Sequence, residues 1–383
     1  MRAGIAFSLG KRPENPLRPV GAAARGAEPF SSVDMCTGSI HHRCMAMSVE
    51  TRMPGFVARY TGYPPERLRV LPFRSGLEAS GVAEVQASYR DGHGRRCQFN
   101  FVVKEMVGSA AREAVVYERW VTPRAAELAP RVFATEQLGD GRWVLYLEAV
   151  RRLRAWPWRE IVRAGDVMER LAGLHLSEDA DTAQRLLPAW DYEQELHLSA
   201  VATLEALERC RRHSEAAAFS PSIRAVDRTV SALTRARLQL LAFQPLRCAP
   251  LHGDVHPGNV IVTRRRCTET PVLIDWGRAR LGSPLEDLSS WLHSLGAWEP
   301  EARRRHDTLL RSYLSARGLE QRLPSDMRGA YWLAGASNAL AGALLHHVET
   351  LTDSRNTRRV RQNAFHSATG WLRVLRRANA CWR

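Results

Sequence analysis

The amino-acid sequence predicts an α+β protein of two lobes, a small sheet-rich lobe followed by a larger, mainly helical one. Between residues 61 and 149, alternating or apolar runs of strand length are separated by turn signals such as DGHG and GDG. From residue 150 onward, apolar residues mostly recur at the three- and four-residue spacing of amphipathic helices. The change of period near residue 150 therefore marks the boundary between the lobes.

The small lobe, residues 61–149, is predicted to contain an antiparallel sheet and one helix. The predicted strands are LRVLPF, AEVQASYR, CQFNFVVKEM, RVFATEQL and RWVLYLEAV. The helix, at about 109–121, lies between the third and fourth strands. Residues 1–60 are rich in Ala, Gly, Pro, Arg and Ser without a helical or strand period, so we predict a disordered N-terminal extension there.

The large lobe, residues 150–383, is predicted to be helical with one inserted hairpin. The predicted helices include WREIVRAGDVMERLAGLHL, YEQELHLSAVATLEALERCRRH, SIRAVDRTVSALTRARLQLLAF and DMRGAYWLAGASNALAGALLHHVETL. The loop LHGDVHPGNV follows the third of these helices. It leads into two short strands, NVIVT and PVLIDW, which RRRCTET separates.

The composition is that of a soluble globular protein, with 45% hydrophobic and 25% charged residues among 383. We expect no membrane partner, because no apolar run approaches the roughly 20 residues of a membrane span. The N-terminal segment has no convincing secretory signal, so we expect a cytoplasmic protein. Seven cysteines without a CxxC pair indicate reduced thiols. The segment CTGSIHHRC (Cys36, His41, His42, Cys44) has zinc-ligand residue types, but its lack of periodicity favours an ordinary loop.

The chain is strongly basic, with a net charge of +15 and a pI near 10.3. Such a charge attracts polyanions, yet the basic residues are spread along the chain and form no basic helix with interleaved aromatic residues. We therefore expect no specific nucleic-acid partner. Only two lysines, Lys11 and Lys104, occur beside 53 arginines. A chain that almost always uses arginine has a lysine at position 104, and this choice suggests a specific role.

The polar loop contains residue types suited to phosphoryl transfer. Asn259 follows Asp254 by five positions, and the hairpin that Asn259 opens is closed by Asp275. The two strands therefore bring Asn259 and Asp275 side by side. An amide oxygen and a carboxylate suit magnesium, which prefers a few hard oxygen ligands together with phosphate oxygens. Asp254 can accept a hydrogen bond from a hydroxyl group and orient it for attack on a phosphoryl group.

The motifs HGDVHPGNV and VLIDWGRARLGSPLEDLSSWL resemble the aminoglycoside phosphotransferase and choline kinase superfamily. Its members are small-molecule kinases with a protein-kinase-like fold. The resemblance spans about residues 65–350 and implies that fold for the predicted α+β chain. Gly253 stands where protein kinases usually have arginine, which favours a small-molecule kinase.

The resemblance also implies roles for particular residues. Asp254 is expected to be the catalytic base, and Asn259 and Asp275 are expected to be the magnesium ligands. Asp287, in EDLSSW, is expected to brace the catalytic loop. His252 and His175 are expected to be packed structural residues.

Lys104 ends the apolar strand FNFVVKEM, where such kinases have the lysine that binds the nucleotide phosphates. Its expected partner is a glutamate on the next helix, in AAREAVVYERW. Glu113 shares the helix face of Val116, Tyr117 and Trp120, which is the core-facing stripe, whereas Glu118 does not. We therefore predict that Lys104 and Glu113 form the cofactor-binding pair.

The predicted function is an ATP- and Mg²⁺-dependent transfer of phosphate to a hydroxyl group of a small molecule: an aminoglycoside, an amino alcohol or a sugar-like compound. Two alternatives are a kinase-fold pseudoenzyme that binds a nucleotide or a partner without turnover, and a polyanion-binding protein. Candidate acceptor-binding residues are the acidic and aromatic side chains of two segments: Asp191, Glu193, Glu195, Trp156, Trp158 and Trp190. His256 is a further candidate contact.

Overall fold

Five antiparallel strands form the small lobe in the computed structural model of the protein. They are β1 (Pro65–Pro72), β2 (Gly81–Arg90), β3 (Arg96–Met106), β4 (Val132–Gln137) and β5 (Trp143–Glu148). Their order in the sheet is β1-β2-β3-β5-β4, so β3 lies at the centre. The turn Asp91–Arg95 joins β2 to β3, where the aspartate side chain accepts hydrogen bonds from the backbone of His93 and Arg95.

The structure describes most of residues 51–381, all within one compact unit, Met47–Arg383. Its gaps are residues 73–80, 140, 211–225, 231, 234–236, 238–245, 247 and 320–324. Most of the predicted extension and the whole segment CTGSIHHRC therefore lie outside the described residues. So does most of the helix predicted over SIRAVDRTVSALTRARLQLLAF, of which residues 226–230 are helical.

The folded lobe begins earlier than we predicted. Residues 51–61 form a helix, α1, within the predicted extension. Its apolar side packs on one face of the sheet, where Met53, Phe56 and Val57 join a buried cluster with Phe101 and Tyr146. The apolar residues of this segment, which include Tyr60, occupy only about two turns of helix. This short pattern explains why the sequence alone did not reveal the helix.

A helical stretch connects β3 to β4 and carries the residues that face the second lobe. It runs from a 3-10 turn, Gly108–Ala111, through the α-helix Arg112–Val116 (α2) to a wider π-type turn, Tyr117–Val121. Tyr117 and Trp120 are fully buried in the main core. This stretch agrees with the helix predicted at about 109–121.

The large lobe is built from helices, with one hairpin and one short strand pair. Its elements are α3 (Ile161–Leu176), α4 (Ala180–Leu186), α5 (Tyr192–Cys210), β6 (Ala249–Leu251), β7 (Val260–Arg265), β8 (Thr268–Leu273), β9 (Arg280–Gly282), α6 (Pro284–Trp298), α7 (Pro300–Arg304), α8 (His306–Ala316), α9 (Ser325–Asn338), α10 (Leu344–Thr352) and α11 (Arg358–Cys381). β7 pairs with β8 and β6 pairs with β9, both antiparallel. The predicted hairpin and the predicted α+β class are confirmed.

The helix predicted over DMRGAYWLAGASNALAGALLHHVETL is interrupted in the structure. A π-type turn, Ala339–Ala343, separates α9 from α10, and Gly342 has a φ of 123°. Glycine adopts this backbone conformation readily, whereas other residues do so at a cost. The kink leaves the carbonyl oxygen of Ala341 free to accept a hydrogen bond from Arg278, at 3.1 Å.

None of the helices within the described residues is long and apolar enough to cross a membrane.

The described part of the chain contains five cysteines, all of them free thiols: Cys97, Cys210, Cys248, Cys267 and Cys381.

Candidate active site

The alternation of β3 directs Lys104 toward the cleft between the lobes. Phe101 and Val103 are buried on the face that α1 covers, so Lys104 projects from the opposite face. Lys104 pairs in register with Val82 of β2 and Leu145 of β5. A central strand with neighbours on both sides holds its backbone firmly.

The ammonium group of Lys104 forms ion pairs with two carboxylates from different parts of the chain. One is Glu113 of α2, and the other is Asp275, whose Oδ1 lies 2.7 Å from Nζ. Burial alone would lower the pKa of Lys104, but the two carboxylates outweigh it and the pKa lies above its ordinary value. Lys104 therefore remains charged at neutral pH.

Glu113 is buried, whereas Glu118 is exposed. Burial raises the pKa of Glu113 to about 7, against the opposing effect of Lys104. Its second oxygen, Oε1, accepts a hydrogen bond from the backbone N–H of Trp276 at 3.2 Å. Glu113 thus joins the lysine to the loop that carries Asp275.

Arg112 is a site residue that the sequence analysis missed. Its guanidinium donates to the backbone carbonyls of Gly277 at 2.8 Å and Ala279 at 2.6 Å, and to that of Pro188 at 3.0 Å. The helix that carries Glu113 is therefore bonded directly to the segment after Asp275. The only signal in the sequence was a basic residue immediately before Glu113.

Asp254 and Asn259 are held together in the loop between β6 and β7. The side-chain nitrogen of Asn259 donates to the backbone oxygen of Asp254 at 3.0 Å and to its Oδ2 at 3.2 Å. The amide oxygen of Asn259 is therefore turned away from the aspartate. Because the backbone oxygen of Asn259 also accepts from Ile274, at 2.9 Å, the loop is tied to the end of β8.

Asp275 follows β8 in a left-handed backbone conformation, with φ 66° and ψ 68°. This conformation is uncommon for residues other than glycine, and aspartate and asparagine tolerate it better than most. Its side chain is 49% exposed and lines the cleft, and its Oδ1 is bonded to Lys104. Lys104 lowers the pKa of Asp275, although burial opposes the shift.

Asp287 braces the loop from the first turn of α6. Its buried carboxylate accepts hydrogen bonds from the backbone N–H groups of His252 at 2.8 Å and Gly253 at 2.9 Å. His175 of α3 contacts the same carboxylate at 3.2 Å and the hydroxyl of Tyr313 at 2.8 Å. Burial lowers the pKa of His175, so its neutral ring donates from Nε2 and accepts at Nδ1.

His252 ties the same loop to β8. Its Nε2 lies 3.0 Å from the carbonyl oxygen of Ile274, and its Nδ1 lies 3.3 Å from the backbone nitrogen of Asp254. Burial lowers the pKa of His252, so the neutral ring donates from Nε2 and accepts at Nδ1. His252 and His175 are thus buried structural residues.

Gly253 meets a strict steric requirement. Its φ is +84°, and a Cβ atom there would lie 2.0 Å from the carbonyl oxygen of Arg278. No side chain fits at this position, which is the one that protein kinases usually fill with arginine. The backbone of the loop that carries Asp254 therefore packs directly against the loop after Asp275.

Lys104, Glu113, Asp254, Asn259 and Asp275 all line one cleft. The tryptophans predicted to bind the acceptor differ in their exposure. Trp158 is buried against Trp291 and is not available to a ligand, whereas Trp156 is partly exposed and lines the cleft.

Two lobes with these residues in the cleft between them are typical of proteins of the kinase-like class. The sequence profile of the phosphotransferase enzyme family matches residues 84–325, more than half of the chain. The chain therefore belongs to the phosphotransferase enzyme family. Family and fold together confirm the predicted enzyme class, a small-molecule kinase. No curated protein sequence matches the chain significantly.

Solved structures support the fold independently. A spectinomycin phosphotransferase in complex with ADP and spectinomycin aligns with a TM-score of 0.52 at 13% identity, covering 86% of this chain and 98% of that one. An ethanolamine kinase of Plasmodium vivax aligns with a TM-score of 0.50 at 9% identity, covering 79% and 81%. These similarities confirm the protein-kinase-like architecture.

We expect Asp287→Asn to lower the free energy of unfolding by about 3 kcal/mol, because an amide cannot accept from two backbone N–H groups and His175 together. Burial would raise the pKa of Asp287, but the hydrogen bonds from His175 and from the backbone N–H of Gly253 hold it below the ordinary value. The carboxylate therefore stabilises the fold fully above the unfolded-state pKa of about 4 and loses this effect as pH falls through the lower folded-state pKa.

Urea unfolding of the wild type and the variant, measured from pH 7 downward, tests this expectation. The difference between them should be constant to about pH 4 and should narrow only below it. Asp181→Asn, a change at an exposed aspartate, is the control. A difference under about 0.5 kcal/mol at pH 7 would show that Asp287 does not brace the loop.

Proposed function

We propose that the protein transfers the γ-phosphate of ATP to a hydroxyl group of a small molecule. The observation that carries this proposal is the convergence of Lys104, Asp254, Asn259 and Asp275 on one cleft, with Lys104 bonded directly to Asp275. Membership in the phosphotransferase family supports it. The related spectinomycin phosphotransferase was solved with ADP, which supports an adenine nucleotide as the donor.

Lys104 would bind the nucleotide phosphates. Its ammonium group is a compact positive charge that lines the cleft, and Glu113 fixes its direction from the buried side. Because catalysis of phosphoryl transfer consists mostly of positioning and charge neutralisation, a fixed cation on the phosphates is a central requirement. Arg112 acts as a positioning residue, since it holds the helix of Glu113 on the loop of Asp275.

Asp254 would act as the base for the acceptor. Its Oδ2 accepts from Asn259, while its Oδ1 makes no hydrogen bond to a described residue and is free for a substrate hydroxyl. In the transfer, a bond forms between the acceptor oxygen and the γ-phosphorus, and the bond from that phosphorus to the β,γ-bridging oxygen breaks. The acceptor proton passes to Asp254, and ADP leaves with the bonding electron pair.

Asn259 and Asp275 fit a magnesium ion. The amide of Asn259 uses its nitrogen to bind Asp254, which leaves its oxygen available, and Asp275 retains Oδ2. Two hard oxygen donors in a cleft that also admits phosphate oxygens are the donor set that Mg²⁺ prefers. When bound, the ion would neutralise charge on the β- and γ-phosphates. The two residues would hold it between β7 and the end of β8.

The non-catalytic alternative receives no support from this geometry, because every residue type that the transfer needs lies in the cleft. The free thiols of the described residues accord with a reducing compartment, and we propose the cytoplasm.

Asp254→Asn should lower kcat by about a hundredfold or more, since it keeps the shape of the side chain but removes the proton acceptor. ATP affinity should stay within about twofold, because the cation and metal residues are intact. Steady-state kinetics with a panel of hydroxyl compounds, together with calorimetry for ATP, tests both statements. Asp166→Asn, at a carboxylate outside the cleft, is the control. Near-normal turnover in the Asp254 variant would remove the base assignment.

Asp275→Ala should abolish the magnesium-dependent part of ATP affinity, because the charged member of the two metal ligands disappears. Calorimetric titration of ATP with magnesium and with a chelator measures that part directly. The wild type should bind ATP more tightly with magnesium than with the chelator. The variant should bind ATP with the same affinity in both conditions. An unchanged magnesium effect would leave Asp275 as a lysine partner only.

Lys104→Arg should lose most activity although it keeps the charge, because the planar guanidinium cannot replace a compact ammonium between Glu113 and Asp275. Lys104→Ala and Glu113→Ala should be similarly impaired. Since the two residues act as one unit, the double variant should be little worse than either single variant. Glu118→Ala, at an exposed position near α2, is the matched control.

The measurement is a double-mutant cycle on kcat/KM for ATP. Strictly additive losses, or full activity in Lys104→Arg, would contradict a role of the pair in binding phosphates.

A further inference from the structure

The carboxylates suggested for binding a cationic acceptor already have partners within the protein. Glu195 of α5 pairs with Arg278 at 2.9 Å, and Glu193 pairs with Arg237. Asp191 accepts a hydrogen bond from the backbone of Gln194 at 3.0 Å, as a cap at the start of α5. A positively charged acceptor would have to compete with these contacts.

The aromatic residues beside them are already in contact with cations. The guanidinium groups of Arg112, Arg278 and Arg280 lie 4.9, 5.3 and 5.8 Å from the ring centroid of Trp190. Arg280 also lies 3.8 Å from the ring of Tyr192. These rings interact with the protein's own arginines, so they are poorly placed to bind an amine.

Two histidines of α10 offer a different kind of contact. His346 and His347 line the same cleft as Asp254, with their ring centroids 5.2 Å apart. Neither ring forms a hydrogen bond to any residue that the structure describes. His346 is exposed and His347 half-buried; partial desolvation lowers the pKa of both rings, that of His347 to about 4, so the neutral form predominates at pH 7. Each neutral ring carries one donor and one acceptor, as a hydroxyl group does.

We propose that the phosphate acceptor is an uncharged polyhydroxy compound of the sugar or cyclitol class, and that His346 and His347 bind its hydroxyl groups beside Asp254. This inference rests on the phosphotransfer function proposed above. Neutral rings suit hydroxyl groups, which both donate and accept, better than ammonium groups, which only donate. Glu349, exposed on the same helix and lining the cleft, can also accept from a hydroxyl.

The first experiment compares acceptors that share their hydroxyl groups and differ in charge. ADP release is measured with the full chain, Mg²⁺ and ATP, using a polyamino trisaccharide and its fully N-acetylated form, which keeps the hydroxyl groups and loses the positive charge. Neutral disaccharides and trisaccharides extend the panel. We expect kcat/KM to be at least about tenfold higher for the uncharged compounds, which corresponds to roughly 1.4 kcal/mol.

The second experiment tests the histidines with the best acceptor of that panel. His346→Leu and His347→Leu should each raise the acceptor KM about fivefold, as expected for the loss of one hydrogen bond. The KM for ATP should change much less. His347→Gln, which keeps a donor and an acceptor, should recover much of the loss. His197→Leu, the same change on α5 outside the cleft, is the control.

The outcomes separate this inference from the function on which it rests. Transfer only to polyamino acceptors overturns the acceptor class and leaves the proposed phosphotransfer intact. No transfer to any member of the panel, although Mg·ATP binds, overturns both the acceptor class and the proposed function. Transfer to neutral acceptors with an unchanged KM in both leucine variants overturns the role of the histidines. Absence of nucleotide binding overturns the proposed function itself.

Discussion

The ion pairs of Lys104 are the interaction on which the rest of the site depends. One ammonium group contacts Glu113 from the helix after β3 and Asp275 from the loop after β8, so a single charge joins the two lobes. The ammonium group offsets the repulsion between the two carboxylates, of which Glu113 is buried. Arg112 reinforces the connection through three backbone carbonyls. The position of Lys104 is therefore coupled to that of Asp275.

The loop and the hairpin could be predicted because their determinants are close together in sequence. Asp254, Asn259 and Asp275 lie within 22 residues of one another, and a hairpin register leaves few ways to arrange them. Glu113 could be distinguished from Glu118 because helix periodicity alone decides which of them faces the core. In each case a local geometric rule connects the sequence to the position of a side chain.

Other features depend on residues far apart in the chain, which no local pattern connects. Arg112 reaches carbonyl groups more than 160 positions away, and the partners of Glu193 and Glu195 come from other segments. The acidic run in α5 looked suited to a cationic ligand because its arginine partners could not be identified from the sequence. Gly342 was equally ambiguous, since a glycine within an apolar helical pattern is usually tolerated without a kink.

The backbone of Asp275 carries a further consequence. Its left-handed conformation is uncommon for a residue with a side chain, and glycine would adopt it with less strain. Replacement by glycine would relieve that strain but would remove a carboxylate from the cleft. The same substitution would break the ion pair with Lys104, so the strain at residue 275 accompanies the contact that joins the two lobes. A thermostabilised descendant of this chain would be expected to accumulate its changes elsewhere and to leave residue 275 untouched.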